Sequence, residues 1–307
     1  MTIRVGILGA TGYTAFELVR LLLRHGDVQI TALTTRSDER PHVTQTHPHL
    51  AGQLDLHLEN LSPAEIIERT DFVFSCLPHA ASASSVAPLV DAGVKVVDFS
   101  ADYRLNDTAT YTQWYGNEHP DPQRVGLTVY GLPELFRQQI SGQNLIANPG
   151  CYTSTAILSL APLLKDKLIA ADDIIVDAKS GVSGASRSPK LNTLYCEANE
   201  SISAYGVGKH RHTPEMEQVL SKVSRDDVQI LFTPHLVPMD RGILATIYTR
   251  PTRELKQDDV LQSLQTAYKG ERFVQVVDHL PGTKHVAGTN QFHITARVVR
   301  DRVLVIG

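Results

Sequence analysis

One turn constrains this chain more than any other segment: Gly9-Ala10-Thr11-Gly12-Tyr13-Thr14-Ala15. It follows the β-rich run Ile3 to Leu8 directly and precedes an amphipathic stretch read as a helix from about Phe16 to His25. A second β-rich run, Gln29 to Leu33, comes behind it. Small residues recur every third position. In a βαβ unit that spacing has a physical reading: Gly9 permits the tight turn, Gly12 lets backbone amides approach a pyrophosphate at a helix N-terminus, and Ala15 lets the helix pack close to its sheet. The expected ligand is a dinucleotide, held by Gly9, Thr11, Gly12, Tyr13 and Thr14.

The same rhythm continues through Phe72 to Leu77, a helical stretch from Ser84 to Asp91, and Val94 to Phe99. Near-continuous apolar runs of this length suit strands buried on both faces of a parallel sheet. After Leu145-Ile146-Ala147 the pattern changes. An apolar helix is expected from Thr153 to Leu164, followed by runs at Ile174 to Val176 and Ile230 to Phe232. Ile243 to Tyr248, Phe273 to Val277, His293 to Val299 and Val303 to Ile306 then alternate as antiparallel strands, with helices near Pro214 to Val223 and Asp258 to Tyr268. The expectation is an α/β chain in two parts: a Rossmann-type parallel sheet over residues 1–148, and a second α+β domain on a mostly antiparallel sheet over residues 149–307. The two parts are expected to dock tightly with a cleft between them.

Composition matters here for what it excludes. With 307 residues, 42% hydrophobic and 20% charged, the chain can bury two cores. A net charge of -4 with dispersed Lys and Arg gives no basic stripe for nucleic acid. No apolar run approaches membrane-spanning length, and Met1 to Val5 leads into a strand with no apolar signal segment, so the expected location is the cytoplasm. Three cysteines, Cys76, Cys151 and Cys196, are too few for a disulfide framework.

Cys151 is the one with chemical context. Asn148-Pro149-Gly150-Cys151-Tyr152-Thr153 joins a buried-type strand to a helix, and a thiol at a helix N-terminus is favoured as thiolate. Cys76, between Phe74 and Leu77, reads as core, and Cys196 lacks an activating context. A partner base is offered by His210-Arg211-His212-Thr213-Pro214-Glu215. There Pro214 reads as the first helical residue, Thr213 as its cap and His212 as a neutral imidazole just outside the helix end. His210 and His212, or His47 and His49, lack the further donors of a metal site, so no metal is expected. At the end of the second strand, Thr34, Thr35 and Arg36 suit the 2′-phosphate of NADP, with Arg36 as its ion partner; Asp38 and Glu39 are the alternative, suited to NAD.

Together these segments resemble the N-acetyl-gamma-glutamyl-phosphate reductases, the arginine-biosynthesis branch of the semialdehyde dehydrogenase group. The resemblance rests on the Gly9 to Thr14 turn, Leu77-Pro78-His79, Asp98 to Arg104, Tyr130 to Glu134, Asn148 to Tyr152, Ser180 to Gly184 and His210 to Glu215. It implies NADPH-dependent reduction of an acyl phosphate to an aldehyde through a thioester. Cys151 would be the nucleophile and His212 the acid/base; Ser183 and Gly184 would border the nicotinamide, and Ser100 and Arg104 would lie near the substrate phosphate. It also implies a homo-oligomer, dimer or tetramer. Rival readings are an aspartate-semialdehyde or carrier-linked aminoadipate-semialdehyde dehydrogenase, a redox-sensing NADP-binding regulator, and a cysteine hydrolase. Two departures stand out. Thr153 replaces a usual proline, and the chain stops at Val305-Ile306-Gly307 where the family continues into a returning helix, so a shortened form with weaker NADP binding is expected.

Overall fold

The computed structural model describes residues 2–307. The chain divides into two compact units, one ending at Pro149 and the other beginning at Gly150.

The first unit is a seven-stranded parallel sheet. Its strands are β1 (Ile3–Leu8), β2 (Val28–Thr34), β3 (Leu58–Glu59), β4 (Phe72–Ser75), β5 (Lys95–Asp98), β6 (Val129–Tyr130) and β7 (Leu145–Ala147), in the order β3-β2-β1-β4-β5-β7-β6. All six neighbouring pairs run parallel. The order reverses direction beside β1, so the carboxyl end of β1 is where a doubly wound sheet opens for a ligand. Successive side chains leave β1 on opposite faces. Ile7 joins a core with Ala15, Val19 and Leu33, while Leu8 joins a second core with Val73, Val86 and Val96. Burial on both faces accounts for the apolar runs.

The second unit is built on β8 (Ile169–Gly181), β9 (Ser203–Ala204), β10 (Ile230–Val237), β11 (Ile243–Pro251), β12 (Val274–Val276), β13 (Phe292–Val299) and β14 (Arg302–Ile306). Their order is β12-β13-β14-β11-β8-β10-β9. Four neighbouring pairs are antiparallel, but β10 runs parallel to β8 and β12 parallel to β13. The sheet is therefore mixed, and β12, expected to be antiparallel, is not. Alternation alone cannot reveal direction, because side chains alternate in both kinds of ladder. The helix Cys151–Lys165 is buried along most of its length, from Tyr152 and Thr153 through Leu164. Tyr268 Oη donates to the Leu158 carbonyl at 2.5 Å, tying the end of the Gln257–Ala267 helix to it.

Candidate active site

Gly9 ends β1 with φ +69, a conformation that strains any residue with a Cβ. A Cβ there would also lie 2.9 Å from the Cys76 carbonyl oxygen. The turn is pinned from the neighbouring strand, where the Gly9 N–H donates to Thr34 Oγ1 (3.1 Å) and the Ala10 N–H to the Thr34 carbonyl (2.9 Å). From the other side, Nε2 of the buried His47 lies 2.7 Å from the Ala10 carbonyl, which it meets as a donor. Gly12 is different. It is the N-cap of the Tyr13–Leu22 helix, whose first residue comes three positions before the start read from sequence, with φ -84 and ψ 168 that any residue can adopt. A Cβ on Gly12 would meet only the Gly9 carbonyl oxygen, at 4.0 Å. Neither backbone nor packing requires glycine there. The open space lies at a helix N-terminus with no side-chain cap and no acid in its first turn, which fits a pyrophosphate. Thr11, Tyr13 and Thr14 are exposed around it, and Arg36 is exposed beyond the end of β2. Asp38 accepts a bond from Asn60 Nδ2 at 2.8 Å.

Cys151, the nucleophile expected from sequence, sits on the equivalent end of another helix. Gly150 is the N-cap, φ -69 and ψ 158, and Cys151 is the first residue of the Cys151–Lys165 helix, with its side chain exposed. The helix starts two residues before Thr153, where the sequence reading began it. This puts the sulfur at the amide end of the helix, where negative charge is favoured. A buried carboxylate holds the turn. Glu215, 1% exposed, accepts the Gly150 N–H at Oε1 (2.9 Å), and Thr153 Oγ1 lies 2.9 Å from the same oxygen and 2.7 Å from the Gly150 carbonyl. The single hydroxyl proton serves one of the two at a time.

Glu215 comes from the helix His212–Ser224, which begins at His212 rather than at Pro214. His212 is thus inside the first turn, one turn before Glu215 on the same face, and Arg211, not Thr213, is the capping residue. The cap bond is supplied by a side chain, since the His212 N–H donates to Nδ1 of His210 at 3.2 Å. His210 lies among Tyr152, Tyr205 and Phe232, with ring centroids 5.7, 5.5 and 5.1 Å away. Burial, and then the Arg211 charge, push its pKa down to about 4, which keeps Nδ1 an acceptor at neutral pH. The His212 ring stands 4.8 Å from His210 and 6.0 Å from Tyr152, the residue next to Cys151.

Ser100 and Arg104, expected near the substrate phosphate, are both buried in the first unit. Ser100 is 1% exposed; its hydroxyl donates to Asp98 Oδ2 (2.6 Å) and accepts the Asp102 N–H (3.1 Å). Arg104 is 5% exposed and donates from Nε to the Asn148 carbonyl and from Nη2 to the Phe99 carbonyl, each at 2.7 Å. These donors hold backbone at Asn148 and Phe99 within the first unit. Ser183 and Gly184 lie in a single helical turn, Val182–Ala185, after β8. Ser183 Oγ donates to the Asp240 carbonyl at 2.6 Å, and a Cβ on Gly184 would come 2.9 Å from Ser180 Oγ.

Two family models cover nearly the whole chain. One is described as the semialdehyde dehydrogenase NAD binding domain, over residues 4–143, and the other as the semialdehyde dehydrogenase dimerisation domain, over residues 151–307. The chain belongs to the semialdehyde dehydrogenase family. Among curated relatives, the N-acetyl-gamma-glutamyl-phosphate reductase of Rhodopirellula baltica is 50% identical across 99% of this chain and 89% of its own length. That of Citrifermentans bemidjiense is 48% identical over the same shares. The fold is shared with aspartate semialdehyde dehydrogenase II of Vibrio cholerae, a structure described as complexed with ASA (TM-score 0.75, 16% identity, 100% of this chain and 92% of that one). It is shared also with the Candida albicans aspartate semialdehyde dehydrogenase with NADP (TM-score 0.71, 17% identity, 100% and 93%).

Within this semialdehyde dehydrogenase none of the three cysteines is in a disulfide, and their characters differ. Cys76 is pushed up to about 12 by burial and by Asp98, so it stays protonated; Cys196 is exposed on a short helix. Two residues with evident roles at the site escaped the sequence reading. Glu215 looks like an ordinary acid in the first turn of a helix, and His47 looked like half of a His-x-His pair; only their distant partners, Gly150 and Ala10, reveal what they do. Among the described residues, neither His47 with His49 nor His210 with His212 falls in a group of three metal-ligating side chains.

Proposed function

We propose that this chain reduces N-acetyl-gamma-glutamyl phosphate to N-acetylglutamate 5-semialdehyde and phosphate, using NADPH and a thioester on Cys151. One observation carries the reading: the Cys151 thiol is exposed at a helix N-terminus whose cap amide is held by Glu215, while His212 sits one turn before Glu215 on the same helix. The relatives at 50% and 48% identity bear the name of that activity.

The Cys151 thiolate attacks the acyl carbon; the carbon–sulfur bond forms, the carbon–oxygen bond to phosphate breaks, and phosphate leaves. His212 protonates the oxyanion as the thioester is reduced to the thiohemiacetal, then removes that proton as sulfur is expelled and the aldehyde forms. His210, neutral and bonded to the His212 amide, fixes the first turn that carries this base. Glu215 is a positioning residue for the turn that bears the thiol, and Ser100 and Arg104 would lie near the substrate phosphate. When bound, the nicotinamide supplies the hydride. Gly9, Thr11, Gly12, Tyr13 and Thr14 would hold the dinucleotide, Ser183 and Gly184 would border its nicotinamide, and the exposed Arg36 would pair with a 2′-phosphate, which favours NADP over NAD.

No helix among the described residues is long and apolar enough to cross a membrane. A reactive thiol outside any disulfide suits a reducing cytoplasm. The match of residues 151–307 to a dimerisation domain, with Leu191, Tyr195 and Ile202 exposed in that unit, supports a homodimer or tetramer.

Phosphate-dependent reduction of NADP by N-acetylglutamate semialdehyde, run beside aspartate semialdehyde, tests the whole reading. The first substrate should turn over, Cys151→Ser should not, and Arg36→Ala should raise KM for NADP at least about tenfold while leaving NAD nearly unchanged. Preference for aspartate semialdehyde overturns the substrate, and turnover by Cys151→Ser overturns the thioester.

A further inference from the structure

Three histidines that the proposed reaction does not use converge in the second unit. His279 follows β12, His285 lies in the short helix Thr283–Val286, and His293 is the second residue of β13. One ligand nitrogen from each lies within 4.8 Å of the others. The ring centroids of His279 and His285 are 5.2 Å apart, and those of His279 and His293 are 5.9 Å apart. His279 and His285 are exposed and His293 is half-buried, so the first two can rearrange around a fixed third.

We propose that His279, His285 and His293 form a binding site for one borderline-soft divalent cation such as Zn2+. Three imidazoles with no carboxylate among them select such ions over Mg2+ or Ca2+, and three protein nitrogens plus water complete a tetrahedron. Bond lengths of about 2.0–2.1 Å require the three nitrogens to draw closer than they stand, a movement available to exposed side chains. His293 leaves its Nδ1 buried with no hydrogen-bond partner among the described residues, a cost that ligation of that nitrogen would remove. Loading breaks one existing contact. Nδ1 of His285 accepts the Gly282 N–H at 3.1 Å, and whichever nitrogen takes the metal, that bond is lost, because the other must then carry the proton.

The site's place in the fold says what the ion would do. β12 and β13 run parallel, with Gln275 opposite His293, so the segment 277–291 must travel back along the sheet to connect them. His279 and His285 belong to that crossover and His293 to the strand it leads into. The cation would clip the crossover to β13, adding stability through binding to the folded state alone.

The test uses the full chain, free of any histidine tag, with Cys151→Ser to remove the thiolate as a competing ligand. Zinc alone is the probe. One Zn2+ per chain is expected by equilibrium dialysis, together with a tetrahedral absorption spectrum when Co2+ is substituted and a zinc-dependent rise in Tm that Mg2+ does not reproduce. The double variant His279→Ala/His285→Ala, which changes only exposed side chains, should weaken zinc at least about tenfold and lose the Tm response. An absence of stoichiometric zinc in the parent, or equal zinc affinity in the double variant, overturns the proposal. Neither result bears on turnover, so the proposed reaction stands or falls separately.

Discussion

The turns at Gly12 and Gly150 have the same local build. Each places a glycine with extended backbone at the N-cap of a helix, with no capping side chain and no acid in the helix's first turn. They differ in what meets the cap. At Gly150 the N–H is taken by the buried Glu215 carboxylate, brought in by a second helix; at Gly12 the N–H faces only the Gly9 carbonyl, at 3.5 Å, and the space where a Cβ would stand is open. The partial positive charge of a helix end can therefore serve two purposes. Left open, it suits a ligand's anion; clamped by the protein's own acid, it holds the turn that bears the Cys151 thiol.

The largest effect that would sharpen this contrast lies on the clamped side. His212→Asn should lower kcat by roughly 10²–10⁴-fold with a smaller change in KM, whereas His210→Asn should cost less than about tenfold at pH 7. His210 carries a separate signature. Its folded pKa of about 4 lies below the unfolded value of about 6.5, so between those pH values the unfolded chain takes up a proton that the folded one does not. Stability from this source is intact above the window and is lost as pH falls through it; His210→Asn should flatten that part of the pH–stability curve. Equal losses of activity in the two variants would remove the distinction between base and support.

Glu215→Ala probes the clamp itself. It strands the Gly150 N–H and leaves the Thr153 hydroxyl only the Gly150 carbonyl to bond, so a loss of about 1–3 kcal/mol in stability is expected. With it, kcat should fall roughly 10–100-fold, and Cys151 should react more slowly with iodoacetamide. Glu215→Gln keeps an acceptor oxygen and should recover part of both. If Glu215→Ala loses stability yet keeps kcat and thiol reactivity, the clamp is structural only. The smallest effect belongs to the open cap. Gly12→Ala should fold with stability changed by less than about 0.5 kcal/mol and raise the dinucleotide Kd about tenfold, while Gly9→Ala, strained by its positive φ and the Cys76 carbonyl, should cost more than about 1 kcal/mol. Unchanged cofactor affinity in Gly12→Ala would break the comparison.

What sequence could show follows from these same residues. The parallel sheet and its first turn were legible because apolar runs and Gly9, Gly12 and Ala15 leave local marks. Helix starts were not. At Tyr13 and Cys151 the cap is a glycine with no Ser, Thr, Asp or Asn to announce it, and at His212 the cap bond comes from an imidazole, while Pro214 sits two positions inside the helix, where its missing N–H still costs no helical bond. Ser100 and Arg104 were singled out by resemblance; their partners Asp98, Asn148 and Phe99 are set by tertiary packing that local sequence does not show. The direction of β12 and the meeting of His279, His285 and His293 depend on a crossover that no period in the sequence encodes.

The Glu215 clamp also ties catalytic competence to the order in which the chain folds. Its bonds to Gly150 and Thr153 join residues 65 and 62 positions apart, with β8, β9 and the opening of the His212–Ser224 helix to be placed before they can form. Contacts of such sequence separation are made late, after the intervening loop entropy has been lost. A nascent or partly refolded chain can have its Cys151 helix without the acid that fixes the turn. Regain of turnover during refolding should then lag behind the regain of helical signal.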